Sequence, residues 1–111
     1  MDEHRALLKR TATDRFDLIL DGVESSDPVR QGYAVFALGF SNNRAALPAL
    51  VRSTDHPNET VRANALIALG HLAFSDTPME PFRKLLEDPV SDVRHAALFA
   101  LRPLTTPKDE R

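Results

Sequence analysis

Residues 61–72 read Val61-Arg-Ala-Asn-Ala-Leu-Ile-Ala-Leu-Gly-His-Leu72, and this stretch of small and aliphatic side chains decides the fold. Similar stretches begin at Val29-Arg30 and at Val93-Arg94, at equal distances along the chain before and after Val61-Arg62. They read Val29-Arg-Gln-Gly-Tyr-Ala-Val-Phe-Ala-Leu-Gly-Phe40 and Val93-Arg-His-Ala-Ala-Leu-Phe-Ala-Leu-Arg-Pro-Leu104. A fixed period in this range of lengths is typical of proteins in which similar units stack.

Apolar residues in each stretch recur at positions i, i+4, i+7, i+8 and i+11, which share one face of a helix. We therefore predict three equivalent amphipathic helices whose apolar face forms the core. The predicted core residues are Val29, Tyr33, Phe36, Phe40, Val61, Ala65, Ala68, Leu69, Leu72, Val93, Ala97, Ala100 and Leu101. Ala37-Leu38-Gly39 is one residue out of step with Ala68-Leu69-Gly70, which indicates a single-residue slip near Asp27-Pro28.

A second helical segment is predicted ahead of each stretch, over residues 14–24, 44–53 and 78–86. The turns between the two helices of each pair contain Asp27-Pro28, His56-Pro57-Asn58 and Asp88-Pro89. The third pair has the clearest start signal, since Thr77 can cap the N–H of Glu80 while Pro78 takes the first helical position. The pattern predicts helix, turn and helix, three times.

The repeats divide one predicted domain of residues 1–111 into units over 13–41, 42–74 and 75–104. Residues 1–12 are predicted to form a partial cap, with a short helix over 2–9 whose Leu7 and Leu8 face inward. Residues 105–111 contain no apolar side chain and are predicted to be a flexible tail.

Two segments resemble the HEAT-like repeat of phycobilisome lyases. The first is Asn43-Arg-Ala-Ala-Leu-Pro-Ala-Leu-Val51, followed by Asp55 and by Val61-Arg-Ala-Asn-Ala-Leu-Ile-Ala-Leu-Gly70. The second is Glu80-Pro-Phe-Arg-Lys-Leu-Leu-Glu-Asp-Pro-Val-Ser-Asp-Val-Arg94. The resemblance implies an all-α fold, a right-handed α-solenoid of about three HEAT-type helical hairpins. It does not choose a function, because such repeats occur in adaptors, lyase subunits and a few metal enzymes.

The resemblance also implies a structural role for Arg30, Arg62 and Arg94, because the equivalent Arg in HEAT-like arrays commonly pairs with an Asp in a turn. Asp27, Asp55, Asp88 and Asp92 are placed to accept such pairs here. A planar guanidinium suits bidentate pairing with a carboxylate. We predict a ladder of Asp–Arg pairs rather than a ligand site.

A row of three apolar residues, Val35, Ile67 and Phe99, is predicted on the far side of the second helices from the core. Around it the same helical geometry places Gln31, Asn64, His71, His95 and Arg102. Since second helices line the concave side of HEAT stacks, these residues are the predicted partner-binding site. The alternative is that the row packs against the first helices.

Composition and motifs narrow the classes of function. The formal charge of −2 offers no large positive field for nucleic acid, and the absence of cysteine excludes thiol catalysis and cysteine-ligated metals. The four histidines, His4, His56, His71 and His95, lack the i, i+3 or i+4 spacing of ligands that share a helical face. The N-terminus has no secretion signal, so a cytoplasmic location is expected.

These observations predict a non-catalytic protein–protein interaction module or scaffold, with no cofactor and no metal. Self-association through an end of the stack is a further expectation, because three repeats are close to the minimum for stability. The alternative is an accessory subunit of a lyase or other modifying enzyme that grips a protein or a tetrapyrrole. Nucleic-acid binding is the weakest of the three alternatives.

Overall fold

The computed structural model describes residues 15–105, of which residues 103 and 105 are described by their backbone alone. Within that range the chain forms helices and no strands. Helix α1 includes residues 15–23, α2 is Pro28–Leu38, and a 3-10 turn over Arg44–Ala46 leads into α3, Leu47–Ser53. Helix α4 is Glu59–Leu72, α5 is Glu80–Leu85 and α6 is Ser91–Thr105. The predicted helix over 2–9, the N-terminal cap and the tail beyond 105 lie outside the described residues.

The helices form three consecutive hairpins, α1–α2, α3–α4 and α5–α6. The second helices pack side by side in the order α2, α4, α6, and each first helix packs on the second helix of its own hairpin. This arrangement confirms the predicted all-α solenoid.

A continuous aliphatic core joins the hairpins. Val61, Ala65, Ala68, Leu69, Val93, Ala97 and Ala100 are buried as predicted. The first helices add Leu50, Phe82 and Leu85, and Phe82 is the largest fully buried side chain of the described residues. The apolar stripes of the second helices therefore face the neighbouring hairpins, and burial of this area supplies the main stabilising term.

The first hairpin departs from the predicted core. Val29, Tyr33, Phe36 and Phe40 are exposed, whereas Val35 and Leu38 are fully buried. The slip near Asp27-Pro28 explains the difference. Leu38 and Gly39 correspond to Leu69 and Gly70, and the separation of these pairs along the chain is one residue shorter than the separation of Val29 and Val61. The prediction placed the core on the wrong side of α2 because it aligned the copies by Val29-Arg30.

Polar caps set where two of the second helices begin. The Asp27 carboxylate accepts a hydrogen bond from the N–H of Val29, and the Asn58 side chain accepts from the N–H groups of Thr60 and Val61. These bonds satisfy backbone donors that have no partner within the helix.

The predicted capping box at Thr77 is wrong. Helix α5 begins at Glu80, no side chain caps it, and the buried Thr77 hydroxyl has no hydrogen-bond partner among the described residues. Pro81 accounts for the later start. In a helix that began at Pro78, Pro81 would be the fourth residue. The N–H of that residue would have to donate a hydrogen bond within the helix, and proline has no N–H. A start at Glu80 places Pro81 in the first turn, where no N–H is needed.

Two glycines allow neighbouring second helices to approach closely. A Cβ added at Gly39 would lie 2.8 Å from the Cα of Ala68, and one added at Gly70 would lie 2.8 Å from both Cβ and O of Ala100. Neither glycine has a positive φ, so close packing rather than backbone conformation requires them. Equivalent Gly–Ala contacts therefore join α2 to α4 and α4 to α6.

Gly70→Ala should lower the free energy of unfolding by about 1–3 kcal/mol, because the new methyl group overpacks the α4–α6 contact and the gain in helix propensity is smaller. The matched control is Gly32→Ala, where the new Cβ would meet its nearest atom, Nδ2 of Asn64, at an ordinary 3.4 Å. The control should be neutral or stabilising by up to about 1 kcal/mol. Urea denaturation of both variants measures the difference, and equal stabilities would contradict the proposed packing constraint.

Candidate functional site

The exposed side of α2, α4 and α6 carries a group of large side chains, which we name the second-helix face. Each of the three helices contributes one line of side chains to this face. Its members are Tyr33, Phe36, Phe40, Asn64, Ile67, His71, Phe99 and Arg102. Tyr33 is 74% exposed, Phe99 is 66% exposed and Phe40 is 62% exposed, so these aromatic rings contribute little to the core.

The central row of this face is Phe36, Ile67 and Phe99. Phe36 and Ile67 are as far apart along the chain as Gly39 and Gly70, and Ile67 and Phe99 are as far apart as Ala68 and Ala100. The three residues of the row are therefore at equivalent positions of the repeat. The prediction that Val35 belongs to the row is wrong, because Val35 is fully buried. The same one-residue slip that exposes Phe36 turns Val35 into the core. Ile67 is half-buried and Phe99 is exposed.

Ring contacts link the first two helices of the face. The ring centroids of Phe36 and Phe40 are 5.1 Å apart and tilted by 59°, and those of Phe40 and His71 are 4.6 Å apart and tilted by 47°. Both arrangements lie in the range of favourable aromatic pairs. His71 thus joins the aromatic cluster of α2 to the surface of α4.

Two grooves separate the three helices on this face. The groove between α4 and α6 has a volume of about 370 Å³, and its lining residues are Ile67, Gly70, His71, Phe99, Ala100 and Arg102. The groove between α2 and α4 has a volume of about 280 Å³ and is lined by Pro28, Val29, Tyr33, Asn58, Thr60 and Asn64. The Asn64 side chain also donates a 3.0 Å hydrogen bond to the Gly32 carbonyl, which ties α4 to α2.

Two further predicted partner-binding residues have different positions. His95 is exposed on α6. Gln31 is half-buried, and its Nε2 donates to the Val23 carbonyl at 3.1 Å, so this side chain joins α2 to the end of α1. Gln31 therefore occupies the place that an Arg takes in the other two hairpins.

The predicted ladder has its strongest pair between hairpins two and three. Nε and Nη2 of Arg62 lie 2.9 and 3.1 Å from the two carboxylate oxygens of Asp88, and Nη1 donates to the carbonyls of His56 and Pro57. Arg94 donates to the Asp88 carbonyl at 2.7 Å. Arg62 thus binds its own turn and the next turn at once, and Asp88 receives both arginines.

The other predicted ladder residues pair differently. Asp55 forms a 2.6 Å ion pair with Lys84, in which both side chains are largely exposed, and not with an Arg. Asp27 caps α2 instead of pairing with Arg30. Arg30 is exposed and makes no ion pair with another residue of 15–105, because the slip gives its ladder position to Gln31.

The three hairpins match a known protein family. The family model for HEAT repeats matches residues 16–102. The chain belongs to the HEAT-repeat family. The finer resemblance to phycobilisome lyases stays a prediction. A comparison with curated proteins gave no match.

Residues 15–105 hold no cluster of three or more His, Cys, Asp or Glu side chains suited to a metal ion. None of the described helices has both the length and the apolar character that crossing a bilayer requires.

The environment of Asp88 stabilises its charged form. Burial by itself raises the pKa of the Asp88 carboxyl, but hydrogen bonds from the Val90 N–H and the Arg62 guanidinium, with the charges of Arg62 and Arg94, hold that pKa below its usual value. The contribution of Asp88 to HEAT-stack stability is therefore complete above the unfolded pKa of about 3.9 and is lost as the pH falls through the lower folded pKa.

Asp88→Asn should lower the free energy of unfolding at pH 7 by about 2–4 kcal/mol, because it leaves the largely buried Arg62 side chain without its counterion. The matched control Asp55→Asn breaks an exposed pair and should cost less than about 1 kcal/mol. Urea denaturation at a series of pH values provides the measurement. The difference between the wild-type protein and Asp88→Asn should shrink below pH 4, and a difference that stays constant there would contradict the assignment.

Proposed function

We propose that the protein is a binding module that docks a partner protein on the second-helix face. The observation that carries this proposal is the exposure of four aromatic side chains on this face, from 40% for Phe36 to 74% for Tyr33. Tyr33, Phe36 and Phe40 lie on and just after α2, and Phe99 lies on α6. Solitary exposed apolar residues are ordinary, but a contiguous aromatic group on one face marks an interaction surface. HEAT repeats commonly mediate protein–protein interactions, which supports the same assignment.

The chemistry of the face suits a protein ligand. Large aromatic side chains supply most of the binding energy at protein interfaces, where Tyr, Trp and Arg are the most frequent anchors. Here Tyr33, Phe40 and Phe99 offer apolar area at low cost in side-chain entropy, and Asn64, His71 and Arg102 supply a polar rim.

The face is also rigid. Its helices are joined by the Gly39–Ala68 and Gly70–Ala100 contacts and by the Asn64–Gly32 hydrogen bond. A preorganised surface loses less conformational entropy when a partner binds than a flexible one does. This rigidity favours a binding function that requires no rearrangement of the stack.

The other predictions remain open. A role beside a lyase, a tetrapyrrole ligand, nucleic-acid binding and a cytoplasmic location stay predictions from the sequence. Self-association through the α6 end also stays a prediction: the exposed Leu86 and Leu98 favour it. Arg102 opposes it, since it occupies the place of Gly39 and Gly70 and would prevent the same close helix contact.

Phe99→Glu should abolish capture of partner proteins while leaving the melting temperature nearly unchanged, because Phe99 is exposed and lines the α4–α6 groove. The matched control is Leu18→Glu, which changes a side chain of similar exposure, 68%, on the first helix α1 and outside both grooves. Quantitative mass spectrometry of proteins captured from the native lysate by wild-type protein and both variants provides the measurement.

Proteins retained by the wild type and by Leu18→Glu but lost with Phe99→Glu would support the proposal. Two results would overturn it. One is an identical set of captured proteins for all three baits, and the other is a drop in melting temperature that shows Phe99 to be part of the core.

A further inference from the structure

We infer that the side of α6 that faces away from α4 is a second docking surface, and that its occupant is a helical hairpin of another protein with a carboxylate in its turn. This surface is separate from the docking function proposed for the second-helix face and does not depend on it. The contact between the second and third hairpins supplies the template for the surface, because the same groups recur one repeat later.

The third hairpin covers Arg62 and Leu66 of α4. Nη1 of Arg62 donates to the carbonyl of His56 at 2.9 Å, which holds the guanidinium against its own turn. Nε and Nη2 of Arg62 then bind the Asp88 carboxylate of the next turn, and Leu66 is fully buried. One hairpin thus receives the next through a bidentate arginine and a leucine one helical turn farther along α4.

The equivalent residues of α6 are Arg94 and Leu98, and both are exposed. Nη1 of Arg94 donates at 2.7 Å to the carbonyl of Asp88, six residues before it, which is the bond that Arg62 makes to its own turn. Among the described residues Arg94 forms no ion pair through Nε or Nη2. Leu98 is exposed where Leu66 is buried. Half of a contact between hairpins is therefore already formed on α6.

The third hairpin also shows what this surface receives. It covers α4 with the Asp88 carboxylate and with the fully buried Val93 and Ala97 of its second helix. A planar guanidinium binds a carboxylate through two parallel hydrogen bonds, so the Arg94 fork selects this group by geometry as well as by charge. The occupant of the α6 surface therefore has a carboxylate in its turn and aliphatic side chains on the helix that follows.

A second copy of this chain lacks these groups. Its first hairpin has Ser25 at the position of Asp88 and Arg30 at the position of Val93. The Ser25 hydroxyl accepts a hydrogen bond from the N–H two residues later, as the Asp88 carboxylate does, which supports this alignment. A second copy would offer a hydroxyl to the Arg94 fork and would bring the exposed Arg30 towards another arginine. The occupant is therefore a different protein.

Arg102 limits how closely the occupant can approach. This residue stands at the position of Gly39 and Gly70, where the inner second helices touch an alanine. Arg94 lies near the start of α6, and Arg102 lies about 12 Å farther along the helix. The occupant therefore contacts the N-terminal half of α6, where Arg94 and Leu98 lie.

The whole chain, altered in its first hairpin, serves as the probe for this surface. The double variant Ser25→Asp, Arg30→Val carries the two groups that the third hairpin presents to α4. Sedimentation velocity at concentrations up to about 0.5 mM should show no association of the wild type through α6. The double variant should form end-to-end dimers and longer assemblies, because a head-to-tail contact leaves both ends open to further copies.

Three further changes in the double variant locate the contact. Arg94→Gln should weaken association about tenfold, because glutamine cannot form the bidentate ion pair. Arg102→Gly should strengthen association about tenfold, because Ala37 stands at the position of Ala68 and Ala100 and could then touch α6. The matched control Arg44→Gln removes an exposed cation from the turn before α3 and should leave association unchanged.

Two results overturn the docking surface on α6. One is a double variant that stays monomeric over this range, and the other is association that Arg94→Gln does not weaken. Association of the wild type that Arg94→Gln abolishes would overturn the exclusion of a second copy. The second-helix face is tested separately, by the capture experiment with Phe99→Glu and Leu18→Glu.

Discussion

The distance between neighbouring second helices controls the rest of this structure. At Gly39 and Gly70 the backbone itself meets the alanine of the next helix, so no side chain separates α2 from α4 or α4 from α6. Residues on the contact sides of these helices must then be small or aliphatic. Large side chains have room on the exposed side, and there the molecule places Tyr33, Phe36 and Phe40. One steric requirement thus produces both the tight stack and the aromatic face.

The third hairpin departs from this requirement. Leu66 is fully buried beneath the next hairpin, whereas Leu98, its equivalent in the following copy, is 62% exposed. The position of Gly39 and Gly70 becomes Arg102 in α6, where a side chain of that size would prevent the same close contact with an alanine. The same residue lines the α4–α6 groove, so one position changes both the packing side and the exposed side of α6.

The repeat period was sufficient to predict the fold and the core of the second and third hairpins, because those copies keep the spacing of Val61 and Val93 throughout. It failed in the first hairpin, where apolar character alone could not distinguish a core stripe from an exposed one. Tyr33 and Phe36 lie at helical spacing, but only the contact of Gly39 with Ala68 shows which side of α2 faces the stack. The out-of-step Ala37-Leu38-Gly39 was the signal that could have corrected the alignment.

Rules that consider only neighbouring residues also predicted some features and missed others. The start of α5 was predictable in principle, because Pro81 limits how early a helix can begin, yet the Thr77 pattern obscured it. The ladder needed tertiary information. Arg62 reaches Asp88 in the following hairpin, and the sequence alone gave no reason to prefer that carboxylate to Asp55. The turn geometry decides, since Asp88 is buried between two arginines whereas Asp55 is exposed.

The slip in α2 also gives the second-helix face a direction. At equivalent positions α2 and the residues just after it have Tyr33, Phe36 and Phe40, α4 has Asn64, Ile67 and His71, and α6 has Phe99 as its exposed aromatic residue, with Arg102 at the position of Gly70. The face is therefore most aromatic at its α2 end. An elongated partner with one apolar and one charged end would, in the reversed orientation, place its charged end against the aromatic cluster and lose the hydration of that charge without a counterion. A single-residue change in one turn thus provides the asymmetry by which a repetitive scaffold can bind a ligand in one orientation.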